Sequence, residues 1–324
     1  MRATVAICTH NRAELVGGAV ERAVTEAQMC DAEVLVVDNA STDPTPTVLA
    51  RLQREAPALR VVREPRLGLS AARNRALAEA RGEVVAFLDD DAIPERGWLA
   101  ALLAPYDTRE VTCVGGPIRL AFSAPPPAWL APSFYCSFSA YDLGDVPRRL
   151  RYRPGDEYPY GGNISFRRTT AEALGGFSTR MGLRGSVQLQ HEETDLCYRI
   201  DHAGGEIRYA PAAVVDHAVL GERLTPGWLI ARHWHRGQSE ALFQLTNRGL
   251  HHALGRVRWY HGAHLAVLPY VPREPIDGAR LVTECRRREA LGYLVGLGRG
   301  LFQLGALRGS SARPPLAAAA VLDR

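Results

Sequence analysis

The stretch that decides the fold is VVAFLDDD, residues 84–91. Its first five residues form a short apolar run, rich in β-branched and aromatic side chains, which predicts a buried strand. The three carboxylates that follow cannot all remain ionised in a partly buried place unless a cation accompanies them. Mg²⁺ takes oxygen ligands and commonly uses one or two carboxylates together with substrate phosphates. The stretch therefore indicates a divalent-metal site for a phosphorylated ligand, with an acidic surface turn as the alternative.

Strands and helices alternate on both sides of this stretch through the first half of the chain. We predict strands at Thr4–Cys8, Val34–Val37, Leu59–Arg63, Val84–Leu88 and Val111–Val114. We predict helices from Asn11 to about Ala27 and at Thr45–Ala56, Ser70–Ala80 and Trp98–Leu103. A capping box of Asn11 and Glu14 is expected to start the first helix. This order predicts an α/β fold with a mostly parallel central sheet flanked by helices.

The second half of the chain has a less regular pattern. Residues 125–132 are rich in proline and residues 179–190 lack periodicity, so both are predicted to be loops. Strands are predicted at Asn163–Phe166, Ile207–Tyr209 and Val214–Asp216, and helices at Thr169–Leu174 and His191–Ala203. After about Leu220, Arg, His, Trp and Leu recur at helical spacing, which predicts a helical C-terminal extension.

Composition and charge are those of an ordinary globular protein. Of 324 residues, 46% are hydrophobic and 23% are charged, and a formal net charge of +4 does not indicate nucleic-acid binding. The six cysteines lack CxxC or other metal-binding spacing. No apolar run reaches the length of a membrane span and the chain starts directly in a strand, so we expect no signal peptide and a cytoplasmic protein.

Three polar clusters follow predicted strands, at the edge where ligands of open α/β sheets bind. They are residues 9–12, residues 38–43 and the acidic triplet, residues 89–91. Asp38 could accept a hydrogen bond from a base or a ribose, or it could form an Asx turn into the next helix. No GxGxxG pattern or P-loop follows the first strand, which disfavours a Rossmann site and leaves the charge of a phosphate to a cation.

A candidate general base lies in the helix predicted at His191–Ala203. Glu193 precedes three apolar residues of one helix face at offsets of three, four and seven, so it is expected to point inward. An inward carboxylate in the first turn of a helix can serve as a general base. Asp195 and Arg199 are spaced for a helical ion pair, so Asp195 is expected to point outward. Glu192 better suits interaction with the helix dipole.

His217 is a candidate metal ligand because it follows the strand predicted at Val214–Asp216. It could complete a site of two oxygens and one nitrogen with the acidic triplet. A lone histidine is more often structural, so the sequence leaves both roles open.

Seven motifs resemble, in order, those of family 2 glycosyltransferases, the inverting enzymes of GT-A fold. They are VAICTHNR (5–12), VVDNASTD (36–43), GLSAARN (68–74), FLDDD (87–91), GGN (161–163), GGF (175–177) and EETDL (192–196). The resemblance spans residues 1 to about 218. One motif alone would be weak evidence, whereas seven in order are highly specific.

The resemblance implies a role for each matching residue. It implies contacts with the nucleotide sugar for Thr9, Asn11, Arg12, Asp38, Asn39, Arg73, Asp89 and Asp90. Asp91 is implied as the main ligand of Mn²⁺ or Mg²⁺, with Asp89 and His217 beside it. Gly162 and Asn163 would border the acceptor site. Glu193 would take the place of the catalytic base, where many members carry aspartate, and this departure leaves Glu192 as a rival.

The resemblance therefore predicts a metal-dependent inverting glycosyltransferase that moves a sugar from a nucleotide-diphospho-sugar to an acceptor hydroxyl. Residues 1–218 would form the GT-A catalytic domain, with a nucleotide-binding half at 1–115 and an acceptor and base half at 116–218. Residues 219–324 would form the helical extension. A sugar-phosphate nucleotidyltransferase and a non-catalytic sugar-nucleotide-binding protein are the alternatives.

The acceptor is left open by the sequence, which fits a small molecule, a peptide or a lipid-linked compound. We predict that the C-terminal helices serve acceptor binding, homo-oligomer formation or a peripheral membrane contact, with plain helix packing as the alternative. The residues that motivate this prediction are cationic and aromatic: Trp228, Arg232, Trp234, Arg236, Trp259, Tyr260 and Arg286–Arg288.

Overall fold

Parallel strands bring the three polar clusters to one edge of a sheet. The computed structural model describes residues 1–153, 157–185, 187–264 and 278–308. Its strands are β1 Ala3–Thr9, β2 Ala32–Asp38, β3 Leu59–Arg63, β4 Val84–Asp89, β5 Ala92–Pro94, β6 Val111–Gly115, β7 Ile118–Phe122, β8 Arg148–Leu150, β9 Asn163–Arg167, β10 Leu183–Arg184, β11 Val187–Gln188, β12 Glu206–Tyr209 and β13 Val215–Val219. Its α-helices are α1 Val16–Gln28, α2 Thr45–Glu55, α3 Leu69–Glu79, α4 Trp98–Leu103, α5 Arg168–Ala173, α6 Glu192–His202, α7 Pro226–Phe243, α8 Gly249–His264 and α9 Gly278–Arg308.

The central sheet, in the part of the chain described, has eight strands in the order β3-β2-β1-β4-β9-β6-β12-β8. The first four are mutually parallel, whereas β9 is antiparallel to both β4 and β6. Every residue from Ala3 to Ile7 is buried, so both faces of the sheet are covered, as expected for parallel strands. Thr9 pairs with Asp38 and Cys8 with Asp89, which places the ends of β1, β2 and β4 side by side. The predicted mostly parallel α/β sheet is confirmed.

A smaller sheet, in the order β5-β13-β7, brings a late segment of the chain to the acidic triplet. Strand β13 runs antiparallel to β5, with His217 opposite Ala92. The backbone N–H of Ala218 donates to the carbonyl oxygen of Asp91 at 2.8 Å. This pairing, which joins residues more than 100 positions apart in the sequence, fixes His217 beside the triplet.

The predicted C-terminal helices are confirmed, and two of them pack with their backbones very close. A Cβ atom at Gly237 of α7 would overlap the carbonyl oxygen of Glu289 of α9. A Cβ atom at Gly292 of α9 would likewise overlap the carbonyl oxygen of Trp234 of α7. Only glycine permits this approach, so the packing fixes the orientation of α7. Among the described residues, no helix is both long and apolar enough to cross a membrane.

Two local predictions are wrong. Asn11 does not cap the first helix, because α1 begins at Val16, and Asn11 adopts a left-handed φ of 53° to accept a hydrogen bond from the N–H of Thr42 at 2.8 Å. Residues 179–190 contain the short hairpin β10–β11, with Gly185 at a positive φ in its turn. The other predicted elements before residue 220 lie within a few residues of the observed ones.

Candidate active site

An open cavity of about 1030 Å³ lies at the edge where β1, β2 and β4 end. Thr9 and the acidic triplet, residues 89–91, line it from the sheet, Glu193 lines it from α6, and Arg232 lines it from α7. Its volume is at the upper end of the range of small-molecule sites, which gives room for more than one ligand group. Residues from both halves of the predicted catalytic domain and from the C-terminal extension therefore border one cavity.

A candidate metal centre stands at the sheet edge. Ligand atoms of Asp89, Asp91 and His217 all lie within 4.8 Å of one another. His217 Nε2 lies 3.2 Å from Asp91 Oδ1, and the guanidinium of Arg223 lies 3.3 Å from Asp91 Oδ2. Two carboxylates and one imidazole form a donor set that suits Mn²⁺ and is compatible with Mg²⁺.

Neighbouring charges set the protonation of the triplet. Burial raises the pKa of Asp91, but the hydrogen bond with His217 and the cations Arg223 and Arg12 outweigh it and lower that pKa to about 2. Burial and the charge of Asp91 raise the pKa of Asp90 to about 7. Asp91 therefore remains ionised at neutral pH, as a metal ligand must be.

The loops after β1 and β2 supply two further predicted site residues, Arg12 and Asn39, to the cavity wall. Asn39 also orders a third loop, because its Oδ1 accepts from the N–H of Gly68 at 2.8 Å and its Nδ2 donates to two carbonyl oxygens of residues 64–66. Its position at the wall is thereby fixed by the loop that leads into α3.

Asn11 and Asp38 are not among the residues that line the cavity. The Oδ1 atom of Asp38 accepts from the N–H of Ser41, three residues on, at 3.1 Å, so this carboxylate orders its own loop by a bond one residue longer than that of an Asx turn. Asn11 ties the β1 loop to Thr42 of the β2 loop. Their contacts with a nucleotide stay predictions.

Arg73 is a buried cation that joins three parts of the site. Its guanidinium lies 2.7 Å from Glu192, 3.4 Å from Asp89 and 3.0 Å from the carbonyl oxygen of Gly161. Arg73 lines the cavity, but only 3% of its side chain is exposed, because protein groups surround it. Its predicted contact with the nucleotide stays a prediction.

The two acids at the start of α6 differ in their surroundings. Glu192 is buried and ion-paired with Arg73, whereas Glu193 is half-buried at the cavity wall. Burial and the charge of Glu192 raise the pKa of Glu193 to about 8, although Arg73 opposes this shift. A carboxylate with such a pKa is suited to accept a proton near neutral pH.

The expectation that Asp195 points outward is wrong. It is 2% exposed, and besides the predicted pair with Arg199 at 2.6 Å it accepts a hydrogen bond from Asn247 at 2.8 Å. Asn247 belongs to a π-helical segment, Gln244–Arg248, that covers this side of α6. A distant segment thus buries a face that the local sequence pattern leaves open.

Gly162 and Asn163, predicted on the acceptor side, are placed differently. Gly162 lines the cavity, and a Cβ atom there would lie 2.8 Å from Asp89 Oδ2. Asn163 is buried and absent from the lining, because its Oδ1 accepts from the indole N–H of Trp98 and its Nδ2 donates to two carbonyl oxygens. Its side chain joins β9 to α4 and to the loops that precede β7 and β13, and it does not line the cavity.

Arg223 is a site residue that no sequence pattern indicated, and for the α7 residues acceptor binding was only one of the roles that the sequence left open. Four residues of α7 at spacings of four line the cavity, and we call them the cavity face of α7: Trp228, Arg232, Arg236 and Glu240. That spacing was visible in the sequence, but nothing local indicated that this face meets the acidic triplet. The side chains of Trp259 and Tyr260, named with them, lie outside the described residues.

Known proteins are similar to this chain in sequence. Residues 4–175 match the family described as "Glycosyl transferase family 2". The chain is 29% identical over 180 residues to the glucosyl-dolichyl phosphate glucuronosyltransferase of Haloferax volcanii, over 55% of this chain and 56% of that protein. It is 29% identical over 239 residues to the succinoglycan biosynthesis protein ExoM of Rhizobium meliloti, over 72% of each. The chain thus spans little more than half the length of the first of these relatives.

Known structures share the fold. The mannosyltransferase PcManGT from Pyrobaculum calidifontis, solved with GDP-Man and Mn²⁺, superposes with a TM-score of 0.55 at 25% identity, over 97% of this chain and 76% of that one. The family match covers more than half of the chain and includes the strands that carry the acidic triplet. The chain therefore belongs to glycosyl transferase family 2 and has the GT-A fold.

Proposed function

We propose that this protein is a metal-dependent, inverting glycosyltransferase that moves a sugar from a nucleotide-diphospho-sugar to an acceptor hydroxyl. The observation that carries the proposal is the placement of Asp89, Asp91 and His217 in the same cavity as Glu193. Family membership favours a glycosyltransferase over a nucleotidyltransferase and over a non-catalytic binding protein. The mannosyltransferase solved with GDP-Man and Mn²⁺ supports the donor class and the metal.

The residues at the sheet edge fit a divalent cation. Asp91 remains ionised, Asp89 supplies a second carboxylate, and His217 supplies a nitrogen, so all three would hold Mn²⁺ or Mg²⁺. When bound, the cation supplies Lewis-acid stabilisation of charge on the leaving diphosphate. Arg223 already touches Asp91, so it would add a second positive charge near the same phosphates.

Glu193 is assigned the role of general base in this proposal. It would accept the proton of the acceptor hydroxyl at a carboxylate oxygen while that hydroxyl attacks the anomeric carbon opposite the leaving group. A single displacement of this kind inverts the anomeric centre without a covalent intermediate. Glu192 is the weaker candidate, because its carboxylate is committed to Arg73.

The wider assignments are also proposals. Residues 1–218 would act as the catalytic domain and residues 219–324 as an extension that shapes the acceptor site. A cytoplasmic location, peripheral contact with a membrane and association through the C-terminal helices would fit such an enzyme. The names of two relatives, a glucosyl-dolichyl phosphate glucuronosyltransferase and a succinoglycan biosynthesis protein, support a carbohydrate or lipid-linked acceptor.

A thermal-shift measurement tests the metal and donor together. UDP, GDP and dTDP are each added with Mn²⁺, with Mg²⁺ and with excess EDTA. We expect one nucleotide to raise the melting temperature in the presence of a divalent ion and to lose that effect in EDTA. Equal stabilisation in EDTA would contradict the metal role, and no stabilisation by any of the three would contradict the proposed donor class.

A further inference from the structure

Arg232 is a cation at the cavity wall whose binding capacity the protein itself leaves unused. Its side chain is half-buried, and its Nε atom is shielded from solvent without a hydrogen-bond partner among the described residues. Within the same described ranges, no carboxylate forms a salt bridge with it. A buried donor that lacks a partner costs stability, and a charged one costs more. Such a group indicates a ligand that supplies the missing acceptor.

The other charged residues of the cavity face of α7 and the neighbouring His233 have partners within the protein. His233 Nδ1 lies 2.8 Å from Glu289, and its Nε2 lies 3.3 Å from the hydroxyl of Ser137. Arg236 lies 3.9 Å from Glu289, and Arg256 lies 3.2 Å from Glu240. The unused hydrogen-bonding capacity therefore belongs to Arg232 and is not a general property of the cavity face of α7.

The surroundings of Arg232 place it between the metal centre and the base. Arg223, which contacts Asp91, acts on it from one side, and the carboxylates of Glu192 and Glu193 act on it from α6. Burial, followed by the charge of Arg223, lowers the pKa of Arg232 to about 10, so it stays protonated at neutral pH. Two guanidinium groups that repel each other in this way are complementary to an anion with more than one charge.

The charge interaction of Arg232 with Glu193 favours the acceptor over the donor. The acceptor hydroxyl must approach Glu193, whereas the donor diphosphate must approach Asp89, Asp91 and His217. The cavity, at about 1030 Å³, has room for a charged group of the acceptor in addition to a nucleotide sugar. The packing of α7 on α9 through Gly237 holds Arg232 in this place.

We propose that Arg232 binds a phosphate or diphosphate group of the acceptor next to the hydroxyl that receives the sugar. The acceptor is then a phosphorylated compound, such as a sugar diphosphate attached to a lipid. This inference rests on the proposed function, because the acceptor side is defined by Glu193 as the base. Arg232 orients the acceptor and takes no part in proton transfer.

Binding of inorganic pyrophosphate in excess EDTA tests the inference with the full chain. Without a metal, the acidic triplet repels pyrophosphate, so binding measured by calorimetry reports the cationic group. We expect Arg232→Gln to raise the dissociation constant by roughly tenfold or more, and Arg232→Lys to raise it less, because lysine keeps the charge. Arg258→Gln, which removes an exposed cation outside the cavity, is the matched control and should leave the constant unchanged.

Two results would overturn the inference. One is the same dissociation constant for pyrophosphate in Arg232→Gln and in the wild-type chain, with circular dichroism showing that the variant is folded. The other is a loss of Mn²⁺-dependent binding of UDP and GDP in Arg232→Gln as large as the loss of pyrophosphate binding, because Arg232 would then serve the donor. Failure of the proposed function would look different: neither nucleotide would bind with Mn²⁺, while pyrophosphate would still bind in EDTA.

Discussion

The sheet edge and the cavity face of α7 border the same cavity, but their charges are balanced in different ways. At the sheet edge, carboxylates and cations pair with one another: Asp91 contacts His217 and Arg223, and Arg73 contacts Glu192. On α7, Arg232 keeps a shielded donor without a partner among the described residues. The charged groups of the sheet edge are thus paired with one another, whereas the guanidinium of Arg232 keeps capacity for an anion.

This difference affects what a substitution should do in each region. Removing a charge at the sheet edge leaves its partner buried and unpaired, which lowers stability as well as activity. Removing the charge of Arg232 leaves no protein partner behind, so binding should change and stability should not. The predictions below test this contrast, in order of decreasing expected effect.

Asp91→Asn should abolish Mn²⁺-dependent binding of nucleotide and reduce sugar transfer to background. The amide lacks the negative charge of the ionised Asp91, so the Asp89 and His217 ligands remain without their strongest partner. The measurement is calorimetry with UDP and GDP, with and without Mn²⁺. Asp216→Asn is the control, because Asp216 lies next to His217 on β13 but pairs with an exposed arginine. Wild-type nucleotide affinity in Asp91→Asn would contradict the metal centre.

Glu193→Gln should lower the rate of transfer by roughly 10²–10⁴ while nucleotide binding persists. The reason is that the amide keeps the shape of the side chain but cannot accept the acceptor's proton. The measurement compares single-turnover transfer with nucleotide affinity. If Glu192→Gln loses transfer and Glu193→Gln keeps it, the base is Glu192 and the assignment is wrong by one residue.

Arg73→Met should lower the free energy of unfolding by roughly 3–5 kcal/mol, because Glu192 would remain buried without its partner. Urea unfolding measures this loss. Arg75→Met, on the same helix, removes an exposed pair with Glu79 and should cost less than about 1 kcal/mol. Arg232→Met should cost no stability, and a large loss in that variant would remove the contrast between the two regions.

The sequence predicted the sheet edge far better than it predicted the cavity face of α7. The strands around VVAFLDDD, residues 84–91, are short apolar runs, and parallel order alone brings their ends together, so Thr9, Asp38 and Asp89 could be grouped in advance. His217 could be named as a candidate ligand from its place after a predicted strand, but a structural role stayed equally open, because β13 joins β5 by a pairing distant in sequence.

Tertiary packing explains what the sequence could not provide. Asp195 is buried by Asn247, and Asn163 is occupied by Trp98, and neither contact follows from helix or strand periodicity. The close packing of α7 on α9 sets the orientation of the cavity face of α7. The local sequence does not indicate which face of a basic helix borders the cavity at a distant sheet edge. Arg223 follows β13 in a short helical turn and carried no recognisable motif.

Gly237→Ala should lower the free energy of unfolding by roughly 1–3 kcal/mol, because the new methyl group overlaps the backbone of Glu289 and moves α7 from α9. Pyrophosphate binding in EDTA should weaken with it, while Mn²⁺-dependent nucleotide binding at the sheet edge should persist. Gly298→Ala, which has open space around it, is the control and should stabilise α9 by up to about 1 kcal/mol. Equal loss of both kinds of binding would mean that the two regions depend on one another.

The smallest expected effect concerns pH. Burial, followed by the charge of Glu192, raises the pKa of Glu193 from 4.5 to about 8 in the folded chain. Between these values the folded state holds a proton that the unfolded state releases, so the free energy of unfolding falls as the pH rises. Glu193→Gln removes this dependence. Its stability relative to wild type should therefore grow from pH 4.5 to pH 8, by roughly 1–2 kcal/mol, since an open cavity screens part of the shift.

Urea unfolding at pH 5, 6.5 and 8 in EDTA measures this difference without a bound cation. Glu193→Asp keeps a carboxyl group near the same place, so its stability should follow the pH dependence of the wild-type chain more closely than that of Glu193→Gln. A difference between Glu193→Gln and wild type that stays flat across this range would mean that Glu193 is ionised throughout. The wall formed by α6 would then resemble the sheet edge, where cations keep carboxylates charged, and burial would no longer explain how Glu193 is prepared to accept a proton.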